Sequence, residues 1–189
     1  RRLLATFLIL GIAMNVYPAI WAYFGQARFG WDSTMVGVSL AVYGISFAVG
    51  QALLVGPLIR RFGEHRAALY GMGVNLVTLV ALGLVTSPTL ALMITPVTAL
   101  GGVVTPALQA IASRQTSADA QGELQGVFAS LNAIAMITAP LIMTTTFARF
   151  SASDAPVFAP GAPFLLSALL MLGCIALHAG SAIGRRNSP

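Results

Sequence analysis

The chain holds 189 residues, 57% of them hydrophobic and only 8% charged, with a mean hydropathy of +0.86. A soluble domain carries about 25% charged residues, so this composition excludes a water-covered globule, and it excludes disorder, which needs polarity and charge. The net charge of +5 comes from arginine alone, against five acids, and no basic stripe lies on a soluble face, so it reads as membrane topology and not as nucleic-acid binding.

Six apolar runs follow one another, at about 3–24, 35–59, 67–86, 88–112, 124–147 and 161–182. Each is long enough to cross a bilayer, and the second and fourth are long enough to tilt. In hydrocarbon every backbone group must be satisfied within the segment, and strand-like alternation is absent, so helices are predicted. The expected fold is an all-α membrane protein: one six-transmembrane-helix bundle over residues 1–189.

The first span carries Asn15 and then Val-Tyr-Pro18-Ala-Ile-Trp-Ala. After it come Trp21, Tyr23, Phe24, Phe29 and Trp31, read as an interfacial aromatic belt together with Phe147, Phe150 and Phe158. The second span sets Ser39, Tyr43, Ser46 and Gly50 at helical spacing, with Gln51 adjacent. The connection Gly56–Arg66 is the densest charge cluster, and its Gly63 permits a sharp turn. The third span offers Asn75 and Thr78. In the fourth, Thr95, Thr98, Gly102, Thr105 and Gln109 form one stripe, and Val-Thr-Pro106-Ala-Leu-Gln-Ala repeats the phrase of the first span. The next connection holds Asp119 and Glu123. Asn132 and Thr138 lie in the fifth span, and Cys174 and His178 in the sixth.

Arg1, Arg2, Arg60, Arg61, Arg66, Arg114, Arg185 and Arg186 fall on one side of the predicted membrane, and only Arg28 and Arg149 on the other. By the arginine bias both termini are cytoplasmic. The five acids lie in or beside connections, so the span middles carry no formal charge. Arg1-Arg2 stands directly before an apolar run, as in a piece of a longer protein.

Amides in hydrocarbon are costly unless paired. Asn15, Gln51, Asn75, Thr105, Gln109 and Asn132 are therefore candidates to line a solute cavity, the bland alternative being hydrogen bonds that only hold the bundle together. Pro18 and Pro106, in matching phrases, are candidate helix breaks of the kind that transporters with internal repeats place near the solute path, and on that reading the chain is two three-helix inverted repeats, the alternative being chance similarity of two apolar stretches. Arg60 and Arg61, turning at Gly63, are candidates for a cytoplasmic gate that pairs with Asp119 or Glu123. The bland reading is that they only set topology.

No sequence signature of a metalloprotease, a serine hydrolase or a phosphate-binding loop is present, so no enzyme is expected. A single cysteine excludes an internal disulfide and a cysteine zinc cage. His65 and His178 read as separate interfacial residues, and no metal site or cofactor is expected.

One ordered set of residues remains. It runs Trp21-x-x-Phe24-Gly25-x-x-Arg28-Phe29-x-Trp31-Asp32, Gly37-x-Ser39-Leu40-Ala41, Gln51-Ala52-x-x-x-Gly56-Pro57 and Arg61-x-Gly63-Glu64-x-Arg66-Ala67. It continues with Pro106-Ala107-Leu108-Gln109-Ala110-x-x-Ser113-Arg114-Gln115 and Gln121-Gly122-x-Leu124-Gln125-Gly126. The set resembles the C-terminal half of a major facilitator superfamily transporter, specifically the tetracycline efflux family of drug:proton antiporters. The resemblance implies helices seven to twelve of a twelve-helix fold in a bacterial inner membrane, partnered by an N-terminal six-helix half and the lipid bilayer. It further implies alternating access and export of a cationic or metal-chelated drug driven by the proton gradient. The rivals are a transporter of the same fold for another small solute, such as another drug or a sugar, and a non-transporting membrane remnant. Two positions depart from the family pattern. Arg60 stands where the signature loop has an acid, and Asn75 stands where tetracycline exporters typically carry Asp in the third span. An amide cannot exchange a proton, so coupling is expected to rest on the other half.

Overall fold

The structure is a computed structural model that describes residues 2–152, 155 and 157–186, the last six of these for the backbone only. Arg1, Asp154 and the side chains of Arg185 and Arg186 lie outside the described residues. The first span is α1 (Arg2–Met14) followed by α2 (Val16–Phe29), and the second is α3 (Ser33–Leu53) followed by α4 (Val55–Phe62). The third is α5 (Glu64–Leu84). The fourth is α6 (Pro88–Thr98), a 3-10 segment (Ala99–Val103) and α7 (Val104–Ser113). A short 3-10 turn (Ala118–Ala120) leads into α8 (Gln121–Ser151), and α9 (Ala162–Arg186) closes the chain. Among the described residues six helical stretches are long and apolar enough to cross a membrane: Arg2–Phe29, Ser33–Leu53, Glu64–Leu84, Pro88–Ser113, Ala118–Ser151 and Ala162–Gly180. The all-α six-span expectation therefore holds, with the first span longer at its end than predicted and the fifth longer at both ends.

Three spans are interrupted, and all three interruptions follow one rule. The new helical segment starts at a valine two residues before a proline: Val16 before Pro18, Val55 before Pro57, and Val104 before Pro106. Proline lacks the N–H that would bond the carbonyl four residues back, and its ring crowds that carbonyl. The rupture therefore falls upstream, three residues before the proline at Asn15 and at Leu54, and three to seven residues before it over 99–103. The break at Pro57 was not expected. Residues 55–62, read as the end of a span and a loop, form a surface helix with no buried residue. The connection itself shrinks to Gly63, whose φ of 75° is open to glycine and strained for other residues.

α5 packs chiefly on α9 and α7, and α1 on α9 and α8. Large apolar side chains fill the centre, including Phe24, Met72, Leu79, Leu108, Met143 and Phe164, all fully buried. Close approaches use small residues, as at Gly83 against Gly161 and at Gly11 against the Ala135 Cβ. The outer face is equally apolar: Ile45, Val77, Ile137, Leu141 and Leu169 are exposed. Such a face is untenable in water and ordinary in lipid.

Three of the eight residues of the expected aromatic belt pack inside the bundle. Trp21, Phe24 and Trp31 are buried, whereas Tyr23 and Phe158 are exposed. Phe24 stands edge-on to Phe164 at 5.0 Å and to Phe29 at 5.4 Å, and Trp21 lies 6.0 Å from Trp31. The rings pack on α9 and on one another because edge-to-face contacts and apolar burial are available there. The Trp21 Nε1–H donates to Ser39 Oγ at 2.9 Å, which takes Ser39 out of the solute stripe.

Candidate functional site

Two partly open recesses adjoin on one side of the bundle and share Leu10, Met14, Tyr43 and Thr105. The first, about 390 Å³, is bordered by the first, second, fourth and fifth spans and presents Asn15, Thr95, Thr105 and Asn132 within an apolar wall. The second, about 430 Å³, presents Gln51, Asn75, Thr105 and Gln109. All six polar residues singled out in the sequence thus lie on this one side. Among the described residues, no formally charged one borders either recess. Both volumes fall in the range of small-molecule sites, about 300–1,000 Å³.

An aromatic wall runs between the recesses. Tyr17 stacks on Tyr43 at 5.6 Å, and Tyr43 on Phe47 at 6.0 Å. Sequence reading had Tyr43 only as part of a polar stripe. The wall's signal was a run of aromatics on two different spans, which becomes visible only once those spans pack.

Two of the amides bond backbone carbonyls of the broken fourth span, and of these Gly101 O also accepts the Val104 N–H. Gln51 Nε2 donates to the Gly102 carbonyl at 3.1 Å. That carbonyl is the one deprived of its helical partner by Pro106. Asn75 Nδ2 donates to the neighbouring Gly101 carbonyl at 3.3 Å, and its Oδ1 is buried without a hydrogen bond. The Asn75 amide occupies the space that a Cβ at position 101 would need, so glycine is required there. Asn15 behaves differently: its Nδ2 donates to Gly11 O, one turn back on its own helix, at 2.8 Å. Asn132 is exposed and makes only a 3.5 Å contact with Met136 Sδ. Thr105 is exposed and Gln109 half-buried.

The predicted threonine stripe divides. Thr95 and Thr98 are buried and donate to carbonyls of their own helix, at 2.8 and 2.6 Å. Thr78 does the same at 3.0 Å. These hydroxyls are already satisfied locally.

At the arginine-rich end other residues are paired in this conformation. Arg60, Arg61, Asp119 and Glu123 are all exposed, and none of them pairs with another. The ion pair that joins the two connections there is Arg114 Nε to Glu64 Oε1, at 2.8 Å. The physical reason is the helical winding of 55–62, which leaves both arginines on the surface while Glu64, past the Gly63 turn, starts α5 beside α7. His65 and His178, read as separate, meet: Nδ1 of one lies 3.3 Å from Nε2 of the other. The Arg2 guanidinium reaches Gly180 O at 3.5 Å.

A six-span bundle with an uncharged, amide-bearing, aromatic-walled recess and proline-broken spans defines half of a secondary-transporter fold. The chain belongs to the Major Facilitator Superfamily, whose family model matches residues 3–185. It is 39% identical over 180 residues to the Tetracycline resistance protein, class C, of Escherichia coli, covering 95% of this chain and 44% of that protein. It is 35% identical over 173 residues to the class G protein of Vibrio anguillarum, covering 92% and 43% respectively. A more distant similarity, 25% over 170 residues, extends to the Hippocampus abundant transcript-like protein 1 of Mus musculus, covering 82% of this chain and 33% of that protein. The chain thus spans less than half the length of these curated relatives. Its family is one of membrane transporters, not enzymes.

Proposed function

We propose that this chain forms the C-terminal half of a drug:proton antiporter that exports tetracycline or a related drug from the cytoplasm across a bacterial inner membrane. The observation that carries this reading is the 39% identity, across 95% of the chain, to a protein named for tetracycline resistance. The recess supports it. A planar, polar-edged ring system suits stacking on Tyr17, Tyr43 and Phe47, with Asn15, Gln51, Thr105, Gln109 and Asn132 to meet its heteroatoms. Asn75 braces the wall and does not titrate. With no formally charged group at the recess, the proton is carried by groups in the N-terminal six-helix half, which completes the cavity.

No cofactor is needed. Export follows from differential binding of drug and proton in inward- and outward-facing states. The breaks near Pro18 and Pro106 are the flexing points of the two repeats. The Glu64–Arg114 pair, turning at Gly63, is the cytoplasmic latch, and both termini lie on its side of the membrane.

The test uses the complete transporter in a drug-hypersensitive bacterium. Resistance to tetracycline and proton-gradient-driven uptake into everted vesicles are both expected, and both weaken in Gln51→Ala and Gln109→Ala at unchanged expression. Unaltered resistance and uptake in both variants would remove the recess assignment. Absence of any gradient-driven tetracycline flux by the wild type would remove the drug. Reporter fusions at residue 63 and after residue 186 read the orientation.

A further inference from the structure

A second, smaller concavity lies away from the recess. It holds about 150 Å³ between α4, α5 and the 3-10 segment, and its wall is wholly apolar apart from the Tyr70 hydroxyl: Leu58, Tyr70, Gly71, Val74, Leu100 and Val103 form most of it. Tyr70 and Leu100 are exposed, so the groove opens on the outer face of the bundle. From Ala67 to Val74 along α5 it runs roughly 10 Å at 1.5 Å per residue, from near the charged end towards the membrane middle.

The charged end of this groove is built by α4. Leu58, Arg61 and Phe62 are three and four residues apart and share one side of that helix. Phe62 stands edge-on to Tyr70 at 5.3 Å, and the Arg61 guanidinium lies 5.7 Å above the Phe62 ring. The aromatic pair thus connects the apolar wall to the cation. Residues 60–66 contain Arg60, Arg61 and Arg66 against one acid, Glu64, and Glu64 is engaged by Arg114. Arg60 and Arg61 are exposed and have no acidic partner among the described residues. An apolar groove capped by the Arg61 guanidinium, with the positive charge of Arg60 on the same short helix, is complementary to a molecule with an acyl chain at one end and a phosphate at the other.

We propose that this groove holds one anionic phospholipid, its acyl chain along Leu58, Tyr70, Val74 and Leu100 and its phosphate at Arg61, with Arg60 adding positive charge at the same end of the groove. The site is independent of the drug recess and requires only that the chain span a membrane. It gives Arg61 a partner that the neighbouring connection does not supply.

The complete transporter, purified in mild detergent and titrated with phosphatidylglycerol or with phosphatidylcholine of the same chains, is read by native mass spectrometry. One phosphatidylglycerol is expected to be retained, with a preference of roughly tenfold or more over phosphatidylcholine. Arg60→Gln/Arg61→Gln brings the two lipids to near equality, and Leu100→Trp, which fills the groove, lowers retention of both. Arg149→Gln, an exposed arginine elsewhere, leaves the preference intact. Equal retention of the two lipids by the wild type overturns the proposal. So does an unchanged preference in the arginine variant, or unchanged retention in Leu100→Trp, as does loss of retention when inorganic phosphate alone is added, which marks a simple anion site. If the double arginine variant does not survive purification, Leu100→Trp alone decides.

Discussion

The first and fourth spans carry the same phrase and break in the same way, yet their breaks are held together by different means. In the first span the side chain at the break bonds locally: Asn15 Nδ2 donates to Gly11 O on its own helix, and the Ala19 N–H bonds Asn15 O. In the fourth, consecutive carbonyls at Gly101 and Gly102 receive amides from two other spans, Asn75 from α5 and Gln51 from α3. The shape of the first span is therefore its own property, whereas that of the fourth depends on its neighbours. The fifth span makes the contrast sharper. α8 carries Pro140 and yet remains continuous for 31 residues. Its proline follows Ala-Ile-Ala-Met-Ile-Thr-Ala, good helix formers apart from the β-branched residues, while Pro106 follows Gly101-Gly102. A proline weakens a helix; glycines and waiting hydrogen-bond partners decide whether it opens.

Gly101→Ala is expected to have the largest effect. The new methyl coincides with the Asn75 amide, which has no room to retreat at 1% exposure. Overpacking of this kind costs about 1–3 kcal/mol, seen as a lower thermal midpoint of the purified complete transporter. Gly102→Ala meets Gln51 Nε2 and Phe47 at 3.0 Å and is expected to cost less. If Gly101→Ala is as stable as the wild type, the fourth span is not braced by Asn75 and the contrast with the first span fails.

Asn75→Asp comes next. The amide now donates to Gly101 O, and a carboxylate has no proton to donate there. A charge at this buried position loses its hydration, and the facing carbonyl offers nothing in return. The expected result is a destabilised transporter whose export becomes newly sensitive to pH, compared with a flatter profile in the wild type. Identical pH profiles would show that position 75 has no part in the proton path even when it can titrate.

The spans were legible because hydrocarbon demands about 20 apolar residues in a row, and two of the three breaks were legible because their prolines sit in the same phrase, each removing a helical N–H. The Pro57 break was hidden by the arginines after it, which made a surface helix look like a loop. The polar cavity residues were legible as residues that hydrocarbon penalises, but not their partners. Gln51 bonds a backbone carbonyl 51 positions away, and a carbonyl leaves no trace in the sequence. The same distance problem misplaced the aromatics. A tryptophan at a span end reads as interfacial until a ring such as Phe164, from the last span, is seen to cover it. The histidines, 113 positions apart, and the Glu64–Arg114 pair are likewise tertiary facts.

The link between Pro106 and Gln51 is tested by a double-mutant cycle. Gln51→Ala alone removes one interhelical bond, worth about 0.6 kcal/mol on average and up to about 1.7 in a membrane protein. Pro106→Ala restores an N–H able to bond Gly102 O in a regular helix. In that background the glutamine loses its vacancy, so the cost of Gln51→Ala should shrink towards zero. Additive losses in thermal midpoint would mean that the glutamine and the proline act separately, and that the carbonyl released by Pro106 is not what holds Gln51.

Asn15→Ala is expected to matter least for stability, and this asymmetry is the sharpest form of the comparison. Gly11 O keeps its backbone partner, the residue 15 N–H at 3.1 Å, when the side-chain amide is removed. No acceptor is left bare, so only a supplementary bond is lost. Alanine also favours helix over asparagine by about 0.5 kcal/mol, which offsets most of that loss. The thermal midpoint of Asn15→Ala should therefore stay at the wild-type value while drug export changes, because Asn15 borders the recess. A fall as large as that of Gln51→Ala would mean that the first break also depends on tertiary support, and that the two repeats flex by one mechanism instead of two.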